Sequence, residues 1–123
     1  MLRPRRIVAI DYDASIGHRL RSAFPEPDYE FHWFADSREA LGRIHGIRPD
    51  LIVCDLMLPG IDGRAVLDTV KMSPTLRNVP VLVLSGVRSE AVIRATLDAG
   101  AQAYLVKPDD VAALVDTVRR LLR

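Results

Sequence analysis

Short, nearly all-apolar runs recur along the chain and are separated by longer segments of mixed polarity. Four runs, at residues 7–10, 51–54, 79–84 and 103–106, are too short for a globular helix and are bounded by Pro, Gly, Asp or Lys. Such runs are typical of strands that are buried on both faces. A fifth segment, at residues 29–34, places Glu30 and His32 between aromatic residues, which predicts an edge strand with one solvent-exposed face.

Between these runs, apolar residues recur at spacings of three and four, which predicts five amphipathic helices. The five sets are Ile16, Leu20, Ala23 and Phe24; Ala40, Leu41 and Ile44; Val66, Leu67 and Val70; Ile93 and Leu97; and Val111, Leu114, Val115, Val118, Leu121 and Leu122. The candidate caps are Asp36 or Ser37 for the second helix, Ser89 for the fourth and Asp109 for the fifth, with Gly46 and Gly100 at left-handed helix ends.

This alternation predicts an α/β fold, a doubly wound five-stranded and mostly parallel sheet with right-handed crossovers and helices on both faces. The 123 residues contain no linker, repeat or low-complexity tract, so we expect a single domain over 1–123 with no effector domain. In such sheets, ligands bind beyond the carboxyl ends of the strands, where the strand order reverses.

Composition and charge narrow the function classes. The chain is 49% hydrophobic and 27% charged, and no apolar segment approaches the roughly 20 residues that span a bilayer. The apolar stretch after the basic start is too short for a signal peptide, so a cytoplasmic location without membrane contact is expected. The net charge is +1 and the basic residues are interleaved with acids, which argues against direct nucleic-acid binding.

The residues that close four of the apolar runs are two acids, a hydroxyl and a cation: Asp11, Asp55, Ser85 and Lys107. Two neighbouring carboxylates favour a hard divalent cation such as Mg²⁺, and a lysine with a hydroxyl can bind phosphoryl oxygens. A single Asp at a strand end is more often a cap or turn former. The combination at successive strand ends is what favours an aspartyl phosphate.

Three stretches carry a family resemblance: "LIVCDLMLPGIDG" at 51–63, "VPVLVLSG" at 79–86 and "LDAGAQAYLVKP" at 97–108. In this order and at these separations, they make the whole chain resemble a CheY-like receiver domain of bacterial two-component response regulators. The resemblance implies a flavodoxin-like sheet with the strand order 2-1-3-4-5.

The resemblance also implies residue roles. Asp55 would accept a phosphoryl group from a histidine kinase or phosphotransfer protein, and Ser85 and Lys107 would bind that group. Asp11, Asp55 and the backbone carbonyl of Met57 would ligate Mg²⁺. Such a domain is a phosphoacceptor rather than an enzyme, although its phosphorylation from a small donor can be self-catalysed.

Further implied features concern switching and output. Tyr104 would change rotamer as Ser85 moves, and the Lys107–Pro108 peptide bond is a candidate for the cis form. A downstream protein would bind the face formed by the fourth helix, fifth strand and fifth helix, and a homodimer is a further candidate. Residues expected on that face are Arg88, Glu90, Arg94, Gln102, Asp116, Arg119 and Arg120.

The sequence departs from the family at Tyr12, because the first strand is usually followed by two adjacent acids. A neutral phenol is a poor Mg²⁺ ligand, so weaker metal binding is expected. Either Asp13 supplies the missing oxygen and phosphorylation is retained, which we favour, or Tyr12 fills the entrance. The second case would leave a pseudo-receiver, a protein-interaction module that is independent of phosphorylation.

Two other functions fit less well. A flavodoxin-like cofactor binder needs a Gly-, Ser- or Thr-rich loop after the first strand, where this chain has Asp11, Tyr12 and Asp13. A Ser-His-Asp hydrolase lacks its Gly-x-Ser-x-Gly elbow. The three histidines, His18, His32 and His45, are expected to be surface or packing residues.

Overall fold

Strands and helices alternate along the chain in the computed structural model, which describes residues 3–107 and 111–123. The elements are β1 (Arg5–Ile10), α1 (Ala14–Ala23), β2 (Tyr29–Phe34), α2 (Ser37–Ile47), β3 (Leu51–Cys54), α3 (Gly63–Met72), β4 (Val81–Ser85), α4 (Glu90–Asp98), β5 (Ala103–Val106) and α5 (Val111–Leu121). The fourth strand begins and ends later than the predicted run at 79–84, since β4 spans Val81–Ser85. Val79 instead belongs to the turn after α3, where its amide donates to the carbonyl of Leu76.

The five strands form one parallel sheet in the order β2-β1-β3-β4-β5, which confirms the predicted doubly wound fold. The alternation of side chains along β1 explains the two-sided core. Ile7 and Ala9 pack with residues of α1 and α5 on one face, while Val8 and Ile10 pack with residues of α2 and α3 on the other. The strand order reverses between β1 and β3, so the site is expected where those two strands end.

The edge strand β2 matches its predicted pattern except at its last residue. Phe31 packs against the α1 and α5 side, and Glu30 and His32 on the opposite face remain partly exposed. The last residue on that opposite face is Phe34, which is buried among residues of α2 and α3. The predicted edge strand is therefore present, and its more exposed face ends with a buried aromatic residue at the carboxyl end of the strand.

Two of the predicted helix caps are present. Asp36 caps α2 by accepting a hydrogen bond from the amide of Arg38, and Ser89 caps α4 by accepting one from the amide of Val92. Asp109, the cap expected for α5, lies outside the described residues. Gly100, with φ of 114°, follows α4 as predicted.

Gly46 is not the end of α2, and that prediction was wrong. The helix continues through Ile47, whose side chain is buried in the core, and Arg48 with φ of 59° takes the left-handed position. The apolar contact of Ile47 therefore extends the helix past the glycine. None of the helices in the described part of the chain is long and apolar enough to cross a membrane.

Candidate functional site

The four polar residues that close the apolar runs lie at the same edge of the sheet. Asp11 follows β1 and Asp55 follows β3, Ser85 is the last residue of β4, and Lys107 follows β5. The strands are parallel, so their carboxyl ends meet at this edge. Three of the four side chains are in direct contact.

Lys107 bridges the two acids. Its Nζ lies 2.8 Å from Asp11 Oδ2 and 3.0 Å from Asp11 Oδ1, and it donates to Asp55 Oδ2 at 3.0 Å. The side chain of Asp11 is 2% exposed and that of Asp55 is 10% exposed. A single ammonium group therefore faces two nearly buried carboxylates and partly offsets the cost of burying them.

Burial and hydrogen bonding perturb the ionisable groups. Burial raises the pKa of Asp11, and this effect outweighs the hydrogen bonds from Lys107 and from the amide of Asp13. Burial alone would lower the pKa of Lys107, but the hydrogen bonds to Asp11 and Asp55 outweigh it and the pKa is raised. Next to Asp55, burial also raises the pKa of the Cys54 thiol, which donates to the Asp55 carbonyl at 3.2 Å.

The turn after β3 holds Asp55 through close backbone contacts. Asp55 Oδ1 accepts a hydrogen bond from the amide of Met57 at 3.1 Å, and the amide of Gly63 donates to the carbonyl of Leu56 at 3.0 Å. A Cβ atom on Gly63 would lie 1.9 Å from the Asp55 carbonyl oxygen. Only glycine therefore allows the start of α3 to pack directly on the peptide after Asp55.

The oxygen atoms near Asp11 and Asp55 fit a hard cation. Among the described residues, Asp11 Oδ2 is buried and receives no well-aligned hydrogen bond, although Lys107 Nζ is close to it. No group of three or more His, Cys, Asp or Glu side chains is arranged for a metal within those residues. Two carboxylates and the Met57 carbonyl would form an all-oxygen set with places left for water, which suits Mg²⁺.

The two residues that follow Asp11, Tyr12 and Asp13, both lie outside the contacts among Asp11, Asp55 and Lys107. The Tyr12 side chain is 70% exposed, so it is not packed into the acidic cleft. Asp13 caps α1, because its Oδ1 accepts a hydrogen bond from the amide of Ser15 at 2.9 Å. Hydrogen bonds from Ser15 lower the pKa of Asp13, so the carboxylate is held at the cap in its ionised form.

The two predicted switch residues contact the same residue of the β4–α4 loop. The Ser85 Oγ accepts a hydrogen bond from the amide of Val87 at 3.3 Å, and the Tyr104 hydroxyl donates to the carbonyl of Val87 at 2.7 Å. Tyr104 is partly buried in this arrangement, while Ser85 is fully buried. Pro108 and its peptide bond lie outside the described residues.

Two supporting contacts were missed from the sequence. The Trp33 indole donates to the backbone carbonyl of Asp11, and the buried Ser37 hydroxyl bonds to Pro59 and Ile61 in the turn after β3. Trp33 is paired with Ala9 in the sheet, so it lies two positions before Asp11 along the neighbouring strand. The strand register, combined with a lone Trp on an edge strand, was the signal available for the first contact.

Comparisons with known proteins agree with this geometry. The sequence model of the response regulator receiver domain family matches residues 7–119. The response regulator MprA of Mycolicibacterium vanbaalenii is 38% identical over 120 residues, which is 98% of this chain and 51% of MprA. The chain thus spans about half the length of the curated relatives that it matches.

Solved structures give the same result. A response regulator from Chloroflexus aurantiacus superposes with a TM-score of 0.87 at 32% identity, covering 98% of both chains. The Mn²⁺-bound form of response regulator Rcp1 superposes with a TM-score of 0.81 at 26% identity, covering 96% of this chain and 91% of Rcp1. The chain therefore belongs to the response regulator receiver domains, the signalling domains of two-component systems.

Proposed function

We propose that the chain accepts a phosphoryl group on Asp55 from a phosphohistidine of a histidine kinase or phosphotransfer protein. An oxygen of the Asp55 carboxylate forms a bond to phosphorus while the phosphorus–nitrogen bond of the donor breaks. The electron pair stays on the donor imidazole, and an acyl phosphate forms on Asp55. The observation that carries the proposal is the contact of one ammonium group, Lys107 Nζ, with both Asp11 and Asp55.

The residues around Asp55 suit this transfer. Asp55 is one of two buried acids among the described residues, and its side chain retains 10% exposure, through which a donor would reach the carboxylate. Lys107 would exchange part of its contact with the carboxylates for a phosphoryl oxygen and offset the charge that accumulates there. Met57 would hold the acceptor carboxylate through its amide, as it does before transfer.

Receiver domains generally bind Mg²⁺, and the Rcp1 relative was solved with Mn²⁺. In this chain, Asp11, Asp55 and the Met57 carbonyl are the proposed ligands. Asp13, the further candidate from the sequence, has its carboxylate at the cap of α1. When bound, the cation would neutralise oxygen charge as the phosphoryl group is transferred. Tyr12 supplies no carboxylate, so we expect weaker Mg²⁺ affinity than a receiver with two adjacent acids would have.

The signal would leave the site through Ser85 and Tyr104. In the unphosphorylated state, the Ser85 hydroxyl accepts from the Val87 amide. The hydroxyl can still donate its own proton to a phosphoryl oxygen, and a shift of the Ser85 side chain toward that oxygen would pull on the Val87 amide and so on the hydrogen bond between Val87 and Tyr104. The surface of α4, β5 and α5 would then change for a downstream protein or a second copy, in the cytoplasm.

The test is phosphorylation by a small donor followed by intact-mass measurement. With acetyl phosphate and Mg²⁺, the wild type should gain the mass of one phosphoryl group, and hydroxylamine should remove it because acyl phosphates are labile. Asp55→Asn is the matched control and should gain nothing. A Tyr12→Asp variant should reach the same occupancy at lower Mg²⁺.

The pseudo-receiver alternative makes the opposite prediction. If the wild type gains no phosphoryl group at saturating Mg²⁺, the proposal is wrong and the chain acts by binding alone. A gain in Tyr12→Asp but not in the wild type would show that Tyr12 is what blocks the site. The exposed position of Tyr12 favours phosphorylation, because the ring does not occupy the space between Asp11 and Asp55.

A further inference from the structure

Trp33 joins the edge strand β2 to the turn that bears Asp11. Its indole Nε1 donates to the backbone carbonyl oxygen of Asp11 at 2.8 Å. Trp33 and Ala9 are partners in the β1–β2 register, so the indole reaches forward past the end of β1 to the residue that enters the acidic cleft. The contact is between an edge strand and the backbone of a proposed metal ligand.

Strand β2 holds both backbone polar groups of Asp11. The Asp11 amide donates to the Phe34 carbonyl at 3.0 Å, and the Asp11 carbonyl accepts from Trp33. The orientation of the peptide between Asp11 and Tyr12 is therefore fixed from one side. With this peptide held, the Asp11 side chain is buried against Lys107 and the Tyr12 side chain is exposed.

The position of the indole is in turn defined by α1. A Cβ atom on Gly17 would lie 3.0 to 3.3 Å from three atoms of the Trp33 ring, so the ring packs against the bare backbone of that helix. Gly17 is buried, and any larger side chain there would push the ring. Gly17, Trp33 and Asp11 thus form a continuous packed path from α1 to the cleft.

We propose that Trp33 is a positioning residue for the metal site, because it sets the direction of the Asp11 carboxylate through the Asp11 carbonyl. The inference rests on the proposed function of Asp11 as an Mg²⁺ ligand. Tyr12 makes the dependence stronger than a two-acid turn would, since the other carboxylate of this turn, Asp13, is held at the cap of α1 by the amide of Ser15. The loss of a group that orients a metal ligand typically weakens affinity by about 10- to 100-fold.

The first test compares Trp33→Phe with Tyr29→Phe by calorimetric titration with Mg²⁺ alone. Trp33→Phe keeps a ring against Gly17 but removes the N–H donor, so we expect at least about 10-fold weaker Mg²⁺ binding. Tyr29→Phe removes a polar group from the same face of β2 without touching Asp11, and its affinity should equal that of the wild type. Unfolding by urea measures stability separately, and the affinity loss should exceed any change in folded fraction.

Two further variants separate positioning from folding. Gly17→Ala keeps the indole donor and improves helix propensity but forces the ring to shift, so it should also weaken Mg²⁺ binding. Adding Tyr12→Asp to Trp33→Phe should recover most of the lost affinity, because a second carboxylate then holds the cation. The loss of Mg²⁺ affinity caused by Trp33→Phe should therefore be smaller in the Tyr12→Asp background than in the wild type, whereas a merely structural role of Trp33 would give the same loss in both backgrounds.

The indole N–H resonance of the metal-free protein gives an independent readout, since Trp33 is the only tryptophan in the chain. We expect slow solvent exchange and a shift on adding Mg²⁺. Exchange as fast as that of free tryptophan, or unchanged Mg²⁺ affinity in Trp33→Phe, would overturn the role of Trp33 alone. A wild type that binds no Mg²⁺ would overturn the proposed metal site as well, and a wild type that binds Mg²⁺ without being phosphorylated would overturn only the proposed phosphoryl transfer.

Discussion

The phenolic hydroxyl of Tyr104 donates to the backbone carbonyl of Val87 at 2.7 Å, and this ties β5 to the loop before α4. The amide of the same residue, Val87, donates to the Ser85 hydroxyl. The loop therefore makes one hydrogen bond with each proposed switch residue. The two bonds meet at a single residue, Val87, so a change at Ser85 would have a short path to Tyr104.

Replacing Tyr104 by Phe removes that hydrogen bond and keeps the ring. We expect the free energy of unfolding in urea to fall by about 0.5–1.5 kcal/mol, the usual net value of one such bond. Amide exchange of Val87 and its neighbours should become faster, while exchange in β1 and β3 stays unchanged. Equal loop exchange in the two proteins would show that the hydroxyl does not restrain the loop.

Gly63→Ala tests the close approach of α3 to Asp55. A Cβ atom 1.9 Å from a backbone oxygen forces the Asp55–Leu56 peptide or the helix to move, so we expect a loss of at least about 2 kcal/mol in stability and strongly reduced phosphorylation. Gly42→Ala is the matched control. It lies inside α2 with no atom within 4 Å of the added methyl group, and it should stabilise the protein by about 0.5–1 kcal/mol. Similar losses in both variants would contradict the steric explanation.

Lys107→Met leaves the two buried acids facing each other. The raised pKa of Lys107 means that its stabilising contribution is complete below the unfolded value of about 10.5 and is lost as the pH rises through the higher folded value. At pH 7 we expect a loss of about 1–3 kcal/mol, discounted because the lysine side chain is partly exposed. The difference from the wild type should narrow above about pH 10.5.

The stability difference between Lys107→Met and the wild type should also become smaller at acid pH, because protonated Asp11 and Asp55 carry no charge for the ammonium group to offset. Burial raises the pKa of Asp11, so this narrowing begins above the ordinary range of carboxyl groups. Lys71→Met is the control, since within residues 3–107 and 111–123 Lys71 donates only to neutral oxygens of Arg77, Val79 and Gln102. The loss of stability caused by Lys71→Met should persist at acid pH. If the stability differences of the two variants from the wild type changed with pH in the same way, the ion pairs of Lys107 with Asp11 and Asp55 would not be the cause.

Asp13 is expected to act at the helix cap rather than at the metal. Asp13→Ala should lower stability by about 0.5–2 kcal/mol, and Asp13→Asn by less, because the amide oxygen can still accept from Ser15. The pKa of Asp13 is lowered by its hydrogen bonds, so its contribution is present above the unfolded value of about 3.9 and is lost as the pH falls through the folded value. The measurement is urea unfolding at several pH values.

The same two variants decide whether Asp13 also ligates the cation. With the carboxylate held at the cap, Mg²⁺ affinity of Asp13→Asn should change by less than about threefold, below the usual effect of losing a ligand. A larger loss would mean that Asp13 leaves the cap and replaces the acid that Tyr12 lacks.

The sequence predicted the fold well because hydrophobic periodicity reports directly on burial. Runs such as 51–54 are too short for a globular helix, which predicts strands buried on both faces. Parallel strand ends then bring residues as distant as Asp11 and Lys107 together. The strand order came from the family resemblance rather than from the pattern. The rule that a glycine marks the end of a helix was wrong at Gly46, because the buried apolar side chain of Ile47 extends α2 by one residue.

The contacts that hold the site were harder to predict. Trp33 donates to a backbone carbonyl, and every residue has one, so residue type alone does not identify the partner. The Ser37 hydroxyl was interpreted as a candidate helix cap, yet it bonds to the turn after β3. Both contacts depend on strand register and on loop geometry, which are set only when the sheet has formed.

The thiol of Cys54, the residue before the proposed acceptor Asp55, is almost wholly inaccessible, and burial raises its pKa. Maleimides react with accessible thiolates, so this sulfur should remain unmodified in the folded protein. The chain contains no other cysteine. An exposed cysteine introduced by Met72→Cys would therefore carry a spin label or fluorophore alone, and motions after phosphorylation could be followed by spectroscopy in an otherwise unaltered molecule.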